Sequence, residues 1–490
     1  MRIPSGREPT VSNLLCIPHS LLHCQSAERA GPMSSEIPTS RIARTSKLGA
    51  FVAGQAARQV GTKASTFGRS EEARARVLER RSLEAADQIV SVLGSMKGAA
   101  MKLGQMMSVI DLGIIPESAR ADFQRKLAVL RDRAPVVSFG QMRAVLEKDL
   151  GAGIDVVFAE FDEKPVASAS IGQVYRARLH DGRAVAVKVQ YPGIGTAVRA
   201  DLKNMALFLR FSQRFRPGLD MVQLGEEIRT RIEEELDYRR EAQTQHEVAG
   251  QFRGHPFIVV PDSVLEFCGE HVLVTEFVDG LVFDDIVEQS QEVRDRVGEI
   301  AYRFYCGSIF RNHEFPGDPH PGNLLLRPDG KVAFIDFGLF KRMSTESIET
   351  ELACLRAASE GRAEDLHRLL NGLGVFPEPD LIPADDMLEF VRDAVGWYLI
   401  DGVVHATPEM ATDVLIDSVD PRSKHFRKLR WQHLPPEHVF TRRAELYTFG
   451  LLGQLHAQAN WHRIGREWLY DEPPVTELGL EEAAWRNGTA

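Results

Sequence analysis

The segment Gly317–Gly338, "GDPHPGNLLLRPDGKVAFIDFG", decides how the rest of this chain is read. Asp318 precedes Asn323 by five residues, and Asp336 follows Asn323 by thirteen. Between Asn323 and Asp336 lie two short apolar runs, "NLLL" and "KVAFI", joined by Pro328-Asp329-Gly330, a strong turn signal. A hairpin of this kind sets Asn323 just before one strand and Asp336 at the end of the other. Both side chains can then point into one cleft. An amide oxygen and a carboxylate suit Mg²⁺, which keeps some waters and takes further ligands from phosphate. A third group, Asp318, is spaced to orient or deprotonate an attacking hydroxyl or water.

The protein-kinase pattern uses the same three roles: a catalytic-loop Asp, an Asn on the metal, and the Asp of a DFG on the metal. The DFG is present here as Asp336-Phe337-Gly338. Upstream, "AVAVKV" places Lys188 in an alternating strand whose neighbours Val185, Val187 and Val189 are expected to be buried. A lysine in such a strand needs a partner. Facing a cleft, it would contact α- and β-phosphates and pair with a helix glutamate, for which Glu241 in "ELDYRREA" is the candidate. Before that strand, "PVASASIGQV" keeps the frame of the kinase glycine loop, but Ala167 and Ala169 replace its first two glycines and only Gly172 survives. Alanine forbids most of the positive-φ geometry that glycine allows, so this loop is stiffer. Ser168 and Ser170 add hydroxyls that could meet phosphate. Val174 stands fourteen residues before Lys188, the reach of one hairpin, and Asp181-Gly182 supplies its turn.

Composition narrows the alternatives. The chain has 490 residues and a formal net charge of -10, which argues against nucleic acid as the main partner. Its five cysteines (Cys16, Cys24, Cys268, Cys306, Cys354) form no CxxC pair, which fits a reducing compartment without a disulfide framework or zinc site. No apolar run approaches the ~20 residues of a membrane span. Residues 1–40 read as a disordered tail or an over-long start with Met33 as the true beginning; a transit peptide is the lesser alternative, weakened by Glu8, Glu28 and Glu36.

The texture along the chain divides it further. Residues 41–150 read as a helical block, including the Met-rich "SLEAADQIVSVLGSMKGAAMKLGQMMSVI" and the helix "SFGQMRAVLEKDLG" closed by Gly151. A Met-rich stripe of this kind is core, or else a lipid-facing groove. Residues 151–280 carry β runs ("VVFAEF", "GQVYRARL", "AVAVKVQ", "FIVVPDSVLE", "EHVLVTEFVDG") and the charged helix "GEEIRTRIEEELDYRREAQTQHEVAG". Residues 281–490 read as mostly helical around the Asp318–Gly338 hairpin. After "DFGLFKRM" the chain runs directly into "STESIETELACLRAASEG", with no long activation segment and no APE, so a peptide substrate has little to dock on.

Together these motifs resemble the UbiB family of atypical, protein-kinase-like kinases and ATPases (AarF-type, with an ABC1-kinase-like domain), which is linked to ubiquinone biosynthesis. The likeness covers roughly residues 40 to 345. "KLGQ" (Lys102–Gln105) is similar to that family's K-x-G-Q signature, "PVASASIGQV" to its alanine-rich loop, and "ELDYRREA" to its E-x-D motif, Glu235 and Asp237. "DPHPGN" and "DFG" match its catalytic and metal motifs.

The resemblance implies an α+β, two-lobed protein-kinase-like fold with an added N-terminal helical extension packed over the cleft. It implies that Lys102 and Gln105 reach toward Glu235 and Asp237. Binding of ATP or ADP with Mg²⁺ would involve Ala167, Ser168, Ala169, Ser170, Gly172, Val174, Lys188, Glu241, Glu276 and Val278, with Asn323 and Asp336 on the metal and Asp318 catalytic. The scattered cysteines and the lack of an apolar span point to a cytoplasmic protein whose membrane contact would be peripheral, and the resemblance implies isoprenoid lipid or quinone precursors as partners. Two departures stand out: Pro316-Gly317 replaces the usual His-Ala before DPHPGN, and His320 sits where ordinary kinases often carry a phosphate-contacting lysine. A pseudokinase-like lipid-binding scaffold and a small-molecule phosphotransferase remain as alternative readings.

Overall fold

The computed structural model describes residues 137–169, 171–200, 202–203, 236–375, 382–411 and 436–488. Lys102, Gln105, Ser170 and Glu235, the helical extension before residue 137 and its packing over the cleft lie outside these residues.

Helix α1 (Phe139–Leu150) begins where Gln141 Oε1 accepts from the Ser138 backbone N–H at 3.4 Å and stops at Gly151, whose φ of 67° is left-handed. A single helical turn, Ile154–Val157, then precedes β1 (Phe158–Phe161). The strand expected over "VVFAEF" therefore starts late, because Gly153 and Asp155 favour a helical first turn there. Next come β2 (Ala167–Ala169), β3 (Gly172–Leu179) and β4 (Ala184–Gln190).

The charged stretch expected as one long helix is broken. Leu236 and Asp237 are non-helical, and Asp237 caps α2 (Tyr238–Gln251) by accepting from the Arg239 backbone N–H at 3.1 Å. After α2 come the two-residue strand β5 (Ile258–Val259), shorter than "FIVVPDSVLE" predicts, and β6 (Val272–Glu276). Strands β1, β3, β4 and β6 lie side by side in that order, with β2 pairing β3, and every pairing is antiparallel. The β3–β4 hairpin turns at Gly182, with φ of 91°, while Asp181 Oδ1 accepts from the Arg183 N–H at 2.9 Å. Val185, Val187 and Val189 are fully buried on one face of β4. Strand alternation sends Lys188 to the other face, where Glu241 of α2 meets it.

The second half is mainly helical. Helix α3 (Gln291–Tyr302) runs through a π-helical segment, Arg303–Gly307, into a last helical piece, Ser308–Asn312. Strand β7 (Glu314–Pro316) precedes β8 (Leu324–Leu326) and β9 (Val332–Phe334). The turn between β8 and β9 places Gly330 at φ 76°. Strand β5 joins this hairpin parallel to β9, and β10 (Phe340–Arg342) pairs back onto β7. Helices α4 (Thr345–Glu360), α5 (Ala363–Gly372) and α6 (Ala384–Leu399) follow. Beyond β11 (Val404–His405) lie α7 (Pro436–Leu455), β12 (Gln458–Ala459), α8 (Trp461–Leu469) and α9 (Glu477–Arg486). The pairs β7–β10 and β11–β12 add strand to a region read from sequence as helical apart from one hairpin.

Two apolar cores support this plan. One joins α1 to the five-stranded sheet through Met142, Leu146, Tyr175, Val187 and Val274. The other packs α3 against α6, α7 and α8 through Ile300, Tyr302, Trp397, Phe449 and Trp461. Within it sits a buried charge cluster. The Arg303 side chain has no exposed surface and pairs with Glu299 at 2.8 Å, Glu467 at 2.7 Å and Glu482 at 3.1 Å. These carboxylates come from α3, α8 and α9, so the arginine ties the C-terminal helices to the helix that leads toward the Asp318 segment. Among the described residues, no helix is long and apolar enough to cross a membrane.

Candidate active site

Three segments that are distant in sequence meet at one cleft. Lys188 Nζ on β4 lies 2.9 Å from Glu241 Oε1 on α2 and 3.9 Å from Asp336 Oδ2 after β9. The ammonium also stands over the Tyr238 ring, 5.0 Å from its centroid. Burial works against the Lys188 cation, but the Glu241 and Asp336 carboxylates outweigh it and hold the ammonium well above the usual lysine range. Glu241 sits in the first turn of α2, where the helix dipole favours negative charge.

Asp336 is held by its own loop. Its Oδ1 accepts from the Gly338 backbone N–H at 3.1 Å. Phe337 beside it is buried, which anchors the loop to the helical core. Across the hairpin, the Ile335 N–H donates to the Asn323 carbonyl at 3.0 Å, so Asn323 sits opposite the residue preceding Asp336. Asn323 Nδ2 donates to the Asp318 carbonyl at 3.1 Å, which ties its side chain to the Asp318 segment. One amide and one carboxylate, with a lysine beside the carboxylate, fit Mg²⁺ that completes its shell with phosphate and water. Among the described residues there is no cluster of three or more His, Cys, Asp and Glu suited to a metal. Phosphate oxygens and water would therefore supply the remaining ligands.

The alanine loop forms a tight antiparallel pair: Ala167 faces Val174, Ser168 faces Gln173 and Ala169 faces Gly172. Gly172 has a reason of its own. A Cβ there would lie 2.2 Å from the Val189 carbonyl oxygen on β4, so only glycine lets the two backbones approach. The retained glycine is thus required for strand packing. Val174 pairs directly with Lys188. Glu276 ends β6 and its carboxylate accepts from the Asp262 N–H at 3.1 Å, while Phe277 beside it lies under the Arg176 guanidinium at 4.5 Å. Val278, half-buried, follows in the segment linking the two halves.

Three features of the cleft carry no sequence motif. His320 Nδ1 accepts from the Gly322 N–H at 3.0 Å, so this ring nitrogen caps the turn Pro321–Asn323. Tyr305, buried in the π-helical segment, lies beneath the site: burial pushes its phenol up, and Asp318 and Asp336 add to the effect. A π-bulge near chemistry is a recurrent functional device. Arg443 of α7 reaches Asp318, with Nη2 3.3 Å from Oδ1, across 125 residues of sequence. The one hint in the sequence is the pair Arg442-Arg443 in a helix otherwise rich in Leu, Phe and Tyr. Arg442 itself pairs at 2.8 Å with buried Glu351 of α4, which helps fix the rotation of α7, and at 2.8 Å with Glu445 one turn further along α7.

Comparison with known proteins agrees with this architecture. The ABC1 atypical kinase-like domain matches residues 129–369. The mitochondrial atypical kinase COQ8B of Rattus norvegicus is 32% identical over 331 residues, 66% of this chain and 61% of that protein. The mitochondrial atypical kinase COQ8 of Saccharomyces cerevisiae is 29% identical over 320 residues, 64% of this chain and 62% of that protein. The chain thus spans about three fifths of the length of these two relatives. Among solved structures, the Rv3197–erythromycin complex of Mycobacterium tuberculosis is similar at a TM-score of 0.59 and 30% identity, covering 82% of this chain and 100% of that one. With an α+β, two-lobed kinase-like fold and these similarities, the chain belongs to the ABC1 atypical kinase-like family, the UbiB/COQ8 group.

Proposed function

We propose that this cleft takes Mg-ATP and that the chain acts as a UbiB-type atypical kinase or ATPase supporting isoprenoid-quinone or other lipid metabolism. The observation that carries the reading is the contact of Lys188 with both Glu241 and Asp336 at 2.9 and 3.9 Å. A half-buried lysine between a helix carboxylate and a DFG carboxylate is arranged to receive phosphate and metal.

In this reading Lys188 positions the α- and β-phosphates and Glu241 keeps the lysine in place. Asn323 and Asp336 hold the metal, which when bound neutralises charge on the phosphates. Asp318 orients the attacking water or hydroxyl and accepts its proton. The alanine loop from Ala167 to Gly172, together with Val174, covers the nucleotide, and the segment from Glu276 to Val278 borders the base. Asp237, which the resemblance groups with Glu235, Lys102 and Gln105, serves as the α2 cap. The short path from Phe337 to α4, which starts at Thr345 under a Ser344 cap, supplies no platform for a peptide. That favours water, or an acceptor other than an extended peptide, as the recipient.

The test is thermal melting of the purified chain with ATP and ADP, with and without Mg²⁺, alongside ATP turnover of wild type and Asp318→Asn. A Mg-dependent rise in Tm, and turnover lost in the variant with the Tm response retained, is the expected result. Turnover unchanged in Asp318→Asn overturns the catalytic role of Asp318. A complete lack of nucleotide response overturns the whole reading.

A further inference from the structure

We propose that Arg443, on a helix outside the matched kinase-like domain, is a catalytic residue that contacts the terminal phosphate of the nucleotide. This inference rests on the Mg-ATP reading above. In ordinary kinases a lysine two residues after the catalytic Asp meets the transferring phosphate; here that position is His320, whose Nδ1 is engaged by the Gly322 backbone. A second cation is nevertheless present on the Asp318 side of the cleft. Arg443 lies 3.3 Å from Asp318, long for a charge-assisted hydrogen bond.

One of its donors is unmet among the described residues. Arg443 Nε is buried and has no hydrogen-bond partner there. A buried, unpaired guanidinium N–H costs free energy unless something meets it. The Tyr447 ring, with its centroid 4.9 Å from the guanidinium carbon, supports the flat group without satisfying that donor. The side chain as a whole is 18% exposed, and a shift of the guanidinium toward the cleft would bring this donor to a phosphate oxygen, whose geometry the fork matches. The helix is anchored next to Arg443 by the neighbouring residue, because Arg442 pairs with Glu351 of α4.

The bond between the terminal phosphorus and its bridging oxygen breaks, and that electron pair leaves with ADP. A new bond forms between phosphorus and the oxygen of water or an acceptor hydroxyl, whose proton passes to Asp318. Arg443 offsets charge on the equatorial oxygens of the transferring group.

The test uses the full chain with Arg443→Gln, Arg443→Lys and Arg443→Ala, each first shown to melt like wild type without ligand. Expected for Arg443→Gln is a turnover loss of about 10²–10³-fold, with ATP binding weakened while ADP binding is unchanged. Arg443→Lys should keep part of both, and added guanidinium should partly restore turnover to Arg443→Ala. Equal loss of ATP and ADP binding would make Arg443 merely structural. Unchanged or increased turnover would make it a restraint on Asp318; either result overturns the proposal. If wild type shows no Mg-ATP response, the nucleotide reading fails and takes this inference with it. A normal wild-type response beside unchanged Arg443→Gln binding and turnover removes this inference alone.

Discussion

Lys188 and Glu241 form a 2.9 Å ion pair across 53 residues of sequence, joining β4 to the first turn of α2. The glutamate is almost entirely buried, so neither partner can be removed without consequence. Lys188→Met should abolish the Mg-ATP shift in Tm and also destabilise the fold, by about 3–5 kcal/mol, because it strands a buried carboxylate. Adding Glu241→Gln should recover most of the stability and none of the nucleotide response. Urea unfolding and nucleotide melting on the single and double variants separate the two effects. Nucleotide binding by the double variant would show that the pair is purely structural.

Gly172 and Ala169 face each other across the β2–β3 pair and should respond in opposite ways. Gly172→Ala forces a Cβ to within 2.2 Å of a main-chain oxygen and should cost at least about 1–3 kcal/mol, as overpacking does. Ala169→Gly relieves the stiffness of the loop and should change ATP-over-ADP preference or raise self-phosphorylation. Equal stability of wild type and Gly172→Ala in urea would refute the packing role. Unchanged nucleotide affinities in Ala169→Gly, with no gain in phosphorylation, would refute the loop argument.

His255 makes stability depend on pH. Burial pulls its pKa down from the ordinary 6.5 to about 4, with Glu482 opposing and Arg486, Lys331 and Arg303 adding to the shift. Its Nδ1 accepts from the Ile258 N–H at 3.0 Å, and its ring packs 4.4 Å from the Trp485 ring of α9. A folded-state value below the unfolded one means the contribution is fully present above about pH 6.5. It is lost as pH falls from there toward 4, up to roughly 3 kcal/mol. Denaturant unfolding of wild type and His255→Asn at pH 7.5, 6 and 4.5 should show the wild type losing the larger share of its stability on acidification. Parallel slopes in the two proteins would exclude His255 as the cause.

Arg303 holds α8 and α9 onto the core through Glu467 and Glu482. Arg303→Met removes the buried cation of this cluster and leaves Glu467 and Glu482 to Arg311, at 2.8 and 3.1 Å, and should cost about 3 kcal/mol, the low end for a broken buried pair. Hydrogen exchange should then accelerate first in α8 and α9. Uniform exchange across the chain, or an unchanged unfolding midpoint, would contradict this coupling.

Much of the cleft was legible in the sequence because its residues sit in local patterns. The spacing of Asp318, Asn323 and Asp336 around a Pro-Asp-Gly turn implied a hairpin, and the alternation about Lys188 implied a strand with one buried face. Such features depend on a few neighbouring residues, where chain stereochemistry leaves little choice. The charged run before Glu241 misled, since a solvated face and a capped helix start share one composition; only the Asp237 cap geometry separates them. The short strands β7, β10, β11 and β12 left too little periodicity to detect.

The sequence by itself determined the kinase-like order of motifs, the metal-suited pair Asn323 and Asp336, and Glu241 as the candidate partner for Lys188. The tertiary structure alone decided that Gly172 is required by the approach of β4, that His320 caps its own turn, and that Arg443 reaches Asp318 from α7. Those three outcomes depend on distances between segments that share no local pattern. Close packing and charge pairing set them only once the two cores have formed.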